Sequence, residues 1–222
     1  MSSTNRSNER DKHVADYYVT PIADIELFLK EFNDKAKLDW NNIKIIDCCA
    51  GGNLEVSDEK GIKEIYHPMS YPTAINNVFG KCDIDTYDIR EDSLAEHKEN
   101  FLETKLNYKP DVIITNPPFN QAVQIIEKAI EDVSDGGYVI MLLRLNFFGS
   151  KDRFHFFKKY MPEWCFVHHS RIGFLDKKDE NGYVVFDKSS GLPKRGATDS
   201  IEYCHMVFRK GYQPDHTKLV II

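Results

Sequence analysis

The 222-residue chain is 41% hydrophobic, 12% aromatic and 29% charged, with a formal net charge of -6. That balance suits one globular domain with a sizeable core and argues against a wholly basic nucleic-acid binder. No window approaches the ~18 uninterrupted apolar residues of a membrane helix, since the best candidate, 138–148, is broken by Arg144 and Asn146.

Residues 1–14 are rich in Ser, Asn and charge and lack an apolar stretch, so a flexible lead-in is expected rather than a secretory signal. Residues 15–222 are expected to form the domain. The five cysteines (Cys48, Cys49, Cys82, Cys165 and Cys204) contain no C-x-x-C pair. Buried reduced thiols in a cytoplasmic protein are therefore expected, with neither a disulfide framework nor a metal site.

Along the chain, strand and helix patterns alternate, which predicts an α/β sheet. A helix is predicted over 22–32, with Thr20 as its N-cap and Pro21 at its first position. A short buried strand follows at 43–46. Pro72 starts a second helix over 71–79, and strands follow at 83–88 and 111–115. Apolar residues at helical spacing predict an amphipathic helix over 121–133, stopped by Asp135-Gly136-Gly137. Next come a strand over 138–145, buried on both faces, and a short helix over 154–160. Two late strands are expected at 165–174 and 201–208. The Gly- and Lys-rich stretch 175–200 lies between them.

Three clusters carry chemistry. Asp47-Cys48-Cys49-Ala50-Gly51-Gly52 directly follows the first strand. In an open α/β sheet, ligands bind at the carboxyl ends of strands, and small residues there let a ligand approach the backbone. The string is neither G-x-G-x-x-G nor a P-loop, which fits a cofactor without phosphates. Asp88 ends the next strand, where a carboxylate can accept from both hydroxyls of a ribose. Asp83, Asp85 and Asp92 are rival carboxylates nearby.

Asn116-Pro117-Pro118-Phe119, also just past a strand, is the most specific cluster. Two prolines fix φ and offer only carbonyl acceptors, Asn116 adds a side-chain carbonyl, and an aromatic ring follows. An aromatic amine delocalises its lone pair into its ring and is a poor nucleophile. Acceptors on both its hydrogens, Asn116 Oδ1 and the Pro117 carbonyl, would draw the nitrogen toward tetrahedral geometry. Phe119 would stack on the base, worth ~1–3 kcal/mol, after the base is flipped from a duplex.

With these pieces the sequence resembles the S-adenosylmethionine-dependent amino-methyltransferases, adenine-N6 DNA methyltransferases in particular. Their catalytic tetrapeptide is N/D-P-P-Y/F. His67 to Pro72, Leu143 to Phe147 and Asp199 to Tyr203 are similar to strings of small phage-type members. The resemblance implies a single-domain Rossmann-like class I fold with a mostly parallel, doubly wound sheet and an antiparallel late strand. S-adenosyl-L-methionine is the implied cofactor, held by Asp47, Ala50, Gly51, Gly52 and Asp88. Tyr17, Thr20 and Pro21 would lie beside its methionine moiety. Asn100 stands where the family often has an acidic residue against the cofactor adenine, next to Phe101. Arg144, Asn146 and Phe147 would face the flipped base, and a short target-recognition loop would lie at 175–200.

DNA is the expected partner, through two basic stretches, 151–159 and 188–195; the contacts expected are Lys158, Lys159, Lys194 and Arg195. The readings that stay open are methylation of RNA adenine, of a protein glutamine amide, or of cytosine N4. His168 and His169 cannot readily share a metal ion, because neighbours on a strand point to opposite faces.

Overall fold

The computed structural model describes residues 18–56, 64–174, 176, 177, 179, 180, 184–189, 191–196, 198 and 200–222. The expected lead-in 1–14 and Tyr17 lie outside them. Helix α1 spans Ile22–Ala36 and buries Ile25, Phe28, Leu29 and Phe32. Pro21, not Thr20, occupies the N-cap position, with extended backbone and no side-chain cap. At the other end Lys37 turns left-handed (φ 54°), and Asn33 Oδ1 accepts from Leu38 N and Trp40 Nε1 at 3.0 and 2.9 Å. These bonds satisfy the Leu38 amide and the buried Trp40 indole just past the helix end.

Strand β1 (Lys44–Asp47) leads into a hairpin, β2 (Asn53–Val56) with β3 (Glu64–His67). Helix α2 (Ser70–Phe79), β4 (Asp83–Thr86), β5 (Val112–Thr115), α3 (Ala122–Asp132) and β6 (Tyr138–Arg144) follow. A 3-10 turn at Leu145–Phe148 leads to α4 (Phe154–Lys159). The chain closes with β7 (Trp164–Val167), β8 (Tyr203–Arg209) and β9 (Lys218–Ile221). The first late strand is much shorter than its apolar run suggested. The β2–β3 hairpin and β9 have no counterpart in the expected elements.

Among the described residues the main sheet has seven strands in the order β4-β1-β5-β6-β8-β7-β9. Strands β4, β1, β5 and β6 pair in parallel, and β8 runs antiparallel to both β6 and β7. This is the expected doubly wound sheet with one antiparallel late strand.

Alternation along the strands builds two cores, because successive side chains point to opposite faces. Ile45, Val112, Ile114 and Ile140 pack with α1 and α2 residues such as Phe28, Phe32 and Ala74. Ile46, Ile113, Val139 and Met141 pack on the other face with α3 and α4 residues such as Ile126, Ala129 and Phe156. Each large apolar side chain buried this way contributes roughly 1.5–3 kcal/mol. The central strands β5 and β6 are largely apolar for this reason, buried on both faces. No helix among the described residues is long and apolar enough to cross a membrane.

Candidate active site

The carboxyl ends of β1, β4 and β5 and the N-terminal ends of α1 and α2 enclose a cavity. It holds about 780 Å³ of empty space, its open mouth included. Of the residues anticipated from sequence, Thr20, Ala50, Gly52, Asp88, Asn100, Phe101, Asn116 and Pro118 line it.

The loop after β1 is shaped by its glycines. Gly51 and Gly52 have φ of 62° and 71°, a region costly for residues with a Cβ. A Cβ on Gly52 would also come within 3.0–3.1 Å of Met69 Cγ and Leu94. The Asp88 carboxylate pins this loop: Oδ2 accepts from Gly51 N and Oδ1 from Arg90 N, both at 2.8 Å. A carboxylate has about four acceptor positions, so the buried Asp88 retains capacity toward the cavity it lines. Its rivals are committed elsewhere. Asp83 pairs with Lys44, Asp85 accepts from Tyr108 Oη, and Asp92 pairs with Arg90.

Asp47 sits behind the cavity wall. It is fully buried; Oδ1 accepts from Thr115 Oγ1 at 2.6 Å and from Cys49 N at 3.3 Å, and Oδ2 has no partner among the described residues. Burial pushes its carboxyl up to about 7. Its contacts bind the glycine loop to the end of β5.

Asn116 is held from the side. Its Nδ2 donates to the buried Thr20 Oγ1 at 3.0 Å, and its Oδ1 is buried with no partner among the described residues. A buried, unsatisfied amide oxygen is costly unless something donates to it. No described residue donates to the Pro117 carbonyl either. Phe119 is not among the residues that line the cavity and is half-buried against Leu142, Ile172 and Tyr203. The Arg144 guanidinium covers its ring at 4.5 Å. From Phe119, rings continue through Tyr203 (6.1 Å) and Phe174 (4.8 Å) to Tyr18 (6.0 Å), which lines the cavity.

Asn100 lines the cavity, but its amide closes a local turn, with Oδ1 accepting from Leu102 N and Nδ2 donating to Glu103. Arg195 is turned inward, bonded to Asp176 at 2.9 Å, and Asp176 also holds the buried His67 at 3.2 Å. Lys194 stays half-exposed near Asp187. Lys158 and Lys159 end α4 beside Gln213 and Arg209. Arg209 pairs with Tyr138 at the start of β6, so these two lysines lie at the opposite end of the sheet from Asn116. His168 turns inward to His205, and His169 caps the Ile222 carbonyl. No group of metal ligands forms among the described residues.

Not anticipated from sequence are Ile89, Arg90 and Tyr71 in the cavity wall. Ile89 and Arg90 follow Asp88 directly, which was the available signal. Tyr71 reports itself only through the fold: it opens α2, and its hydroxyl meets His205 Nε2 at 3.0 Å.

No protein-family model matches the chain, and no curated protein sequence does. Solved structures do. A protein from Listeria monocytogenes assigned to the class I S-adenosylmethionine-dependent methyltransferases superposes with a TM-score of 0.57 at 16% identity, over 92% of this chain and 65% of that one. The chain thus spans less than two thirds of that protein's length. A SAM-dependent O-methyltransferase from Thermotoga maritima gives 0.48 at 12% identity, over 87% and 67%. The fold is the Rossmann-like α/β fold of class I methyltransferases.

Proposed function

We propose that the chain transfers a methyl group from S-adenosyl-L-methionine to the exocyclic N6 of adenine in DNA. The observation that carries this reading is Asn116: a buried amide oxygen without a donor among the described residues, at the edge of a cavity, with its nitrogen already held by Thr20.

The cavity suits the cofactor. A carboxylate (Asp88) stands beside apolar walls (Ile89, Phe101, Ile125), next to a loop whose positive-φ glycines bring backbone to the surface. Asp88 would hold the ribose hydroxyls, Ile89 and Phe101 the adenine, and Thr20 and Ala50 the amino-acid end. When bound, the cofactor supplies an electrophilic sulfonium methyl. The protein's part is to prepare the amine. Asn116 Oδ1 and the Pro117 carbonyl accept its two hydrogens, localise the lone pair and aim it. Preorganised acceptors of this kind stabilise the charge that develops on the nitrogen. No strong base is needed, because the methylated nitrogen sheds its proton readily.

The exposed cationic residues at this edge of the sheet, Arg171 and Lys194, favour a nucleic acid over a protein acceptor. The test is incubation with methyl-labelled cofactor and DNA, RNA or glutamine-containing peptides as alternative acceptors, followed by nucleoside analysis. Label on N6-methyladenine from DNA is expected. Label confined to RNA, peptide or cytosine N4, or none despite cofactor binding, would sink the reading.

A further inference from the structure

Six arginines lie among the described residues, and five are engaged by oxygen acceptors. Arg90 meets Asp92, Arg171 meets Glu202 and Arg195 meets Asp176. Arg153 donates to the Phe147 carbonyl and Arg209 to that of Gly136. Arg144 differs. Its guanidinium lies on the Phe119 ring, its Nε is buried with no hydrogen-bond partner, and it has no ion pair among the described residues. A guanidinium stays protonated at any working pH and offers five donors and no acceptor. A ring face satisfies its charge in part and none of its donors.

The position is specific. Arg144 ends β6, beside the end of β5 that carries Asn116, and pairs across the sheet with Tyr203. It therefore stands next to the tetrapeptide that, on the reading above, receives a planar amine. Methyl transfer from a sulfonium places positive charge on that amine, and a neighbouring uncompensated cation would oppose it. An anion on Arg144 would remove the opposition. A neutral ring nitrogen would not, and neither would a glutamine side chain. A phosphodiester would, because its two free oxygens match the guanidinium fork. A target nucleotide within a strand brings one on each side.

We propose that Arg144 binds a backbone phosphate flanking the target nucleotide, so that the substrate is a base within a nucleic-acid strand, not a free base, a nucleoside or a side-chain amide. The inference rests on the base-methylation reading but is tested partly without it.

Oligonucleotides with a single target adenine are made with a neutral methylphosphonate at each flanking position in turn. Wild type, Arg144→Met and Arg144→Lys are compared by methyl transfer and by fluorescence anisotropy across a salt series. At one position the neutral linkage should lower wild-type kcat/KM about 10- to 100-fold. Arg144→Met should lose as much on the native strand and nothing further on the neutral one. The salt slope of binding should fall by about one phosphate contact in Arg144→Met and persist in Arg144→Lys. Overturning results are losses that multiply, indifference of wild type to every neutral linkage, or an unchanged slope in Arg144→Met. Absence of transfer to any oligonucleotide, with the slope still reduced, would refute the base-methylation reading while leaving phosphate binding by Arg144 in place.

Discussion

The side-chain nitrogen of Asn116 donates to Thr20 Oγ1 at 3.0 Å, across 96 positions of sequence. This bond sets which end of the amide faces the cavity. A reversed amide would present two donors to an amine that itself has only donors to offer. The expected outcome is that Thr20→Val lowers kcat about 10- to 100-fold with little change in cofactor affinity, and that Thr20→Ser restores most of it. Asn116→Ala should cost about 10²–10³ in kcat. Calorimetric titration of the cofactor alongside a methyl-transfer assay separates the two effects. Equal activity of Thr20→Val and wild type would show that the amide is oriented by something else.

Asp88 ties the glycine loop after β1 to the end of β4 through Gly51 N and Arg90 N. Replacement by Ala removes the acceptor for both backbone donors and any acceptor offered to a ribose. Cofactor affinity should fall about 10- to 100-fold, whereas Asp92→Ala, an exposed carboxylate bound to Arg90, should leave it near wild type. If both substitutions weaken binding equally, the carboxylate at the strand end has been assigned wrongly.

Much of this site is legible in the sequence, and the failures share a cause. An apolar run ending in Asn-Pro-Pro-Phe fixes both a buried strand and the acceptors at its end, since everything needed is local. Thr20 was expected to cap α1. Its hydroxyl serves Asn116 instead, and a tertiary partner far along the chain leaves no mark in local capping rules. Asn100 stands where the resemblance implies an acidic residue, yet Leu102 N and Glu103 claim its amide. Strand β9 is short and mostly exposed, and its ladder to β7 connects residues over 50 positions apart. Nothing in its own sequence distinguishes it from a tail. Lys158 and Lys159 announce charge, but only the sheet's direction reveals that α4 carries them away from Asn116.

That placement makes a prediction about nucleic-acid binding. Lys158→Ala/Lys159→Ala should leave oligonucleotide affinity and its salt dependence unchanged, because both charges sit at the far end of the sheet. Arg171→Ala and Lys194→Ala should each flatten the dependence of log K on log[salt] by about one contact. Anisotropy titrations at several salt concentrations read both. A flattened slope in the α4 double variant would mean that the strand wraps the far end of the domain.

Asp47 predicts a pH dependence of stability whose sign can be worked out. Its folded carboxyl is raised by burial to about 7 from an ordinary 3.8. Between those values the folded state holds a proton that the unfolded state has lost, so this group's contribution is fully present below about 3.8. It is lost as pH rises through about 7, on the order of 4 kcal/mol in all. His168, lowered by burial to about 4, and His205, also lowered by burial, act in the opposite direction, losing stability as pH falls from about 6.5. A direct Tm profile mixes these effects, but Asp47→Asn isolates one. Asparagine keeps an oxygen for Thr115 and Cys49 and does not titrate, while the histidines stay the same in both proteins. The difference in Tm, variant minus wild type, should therefore become more positive from pH 4 to pH 8 in differential scanning calorimetry. Parallel profiles would mean that Asp47 is ionised in the folded protein at neutral pH.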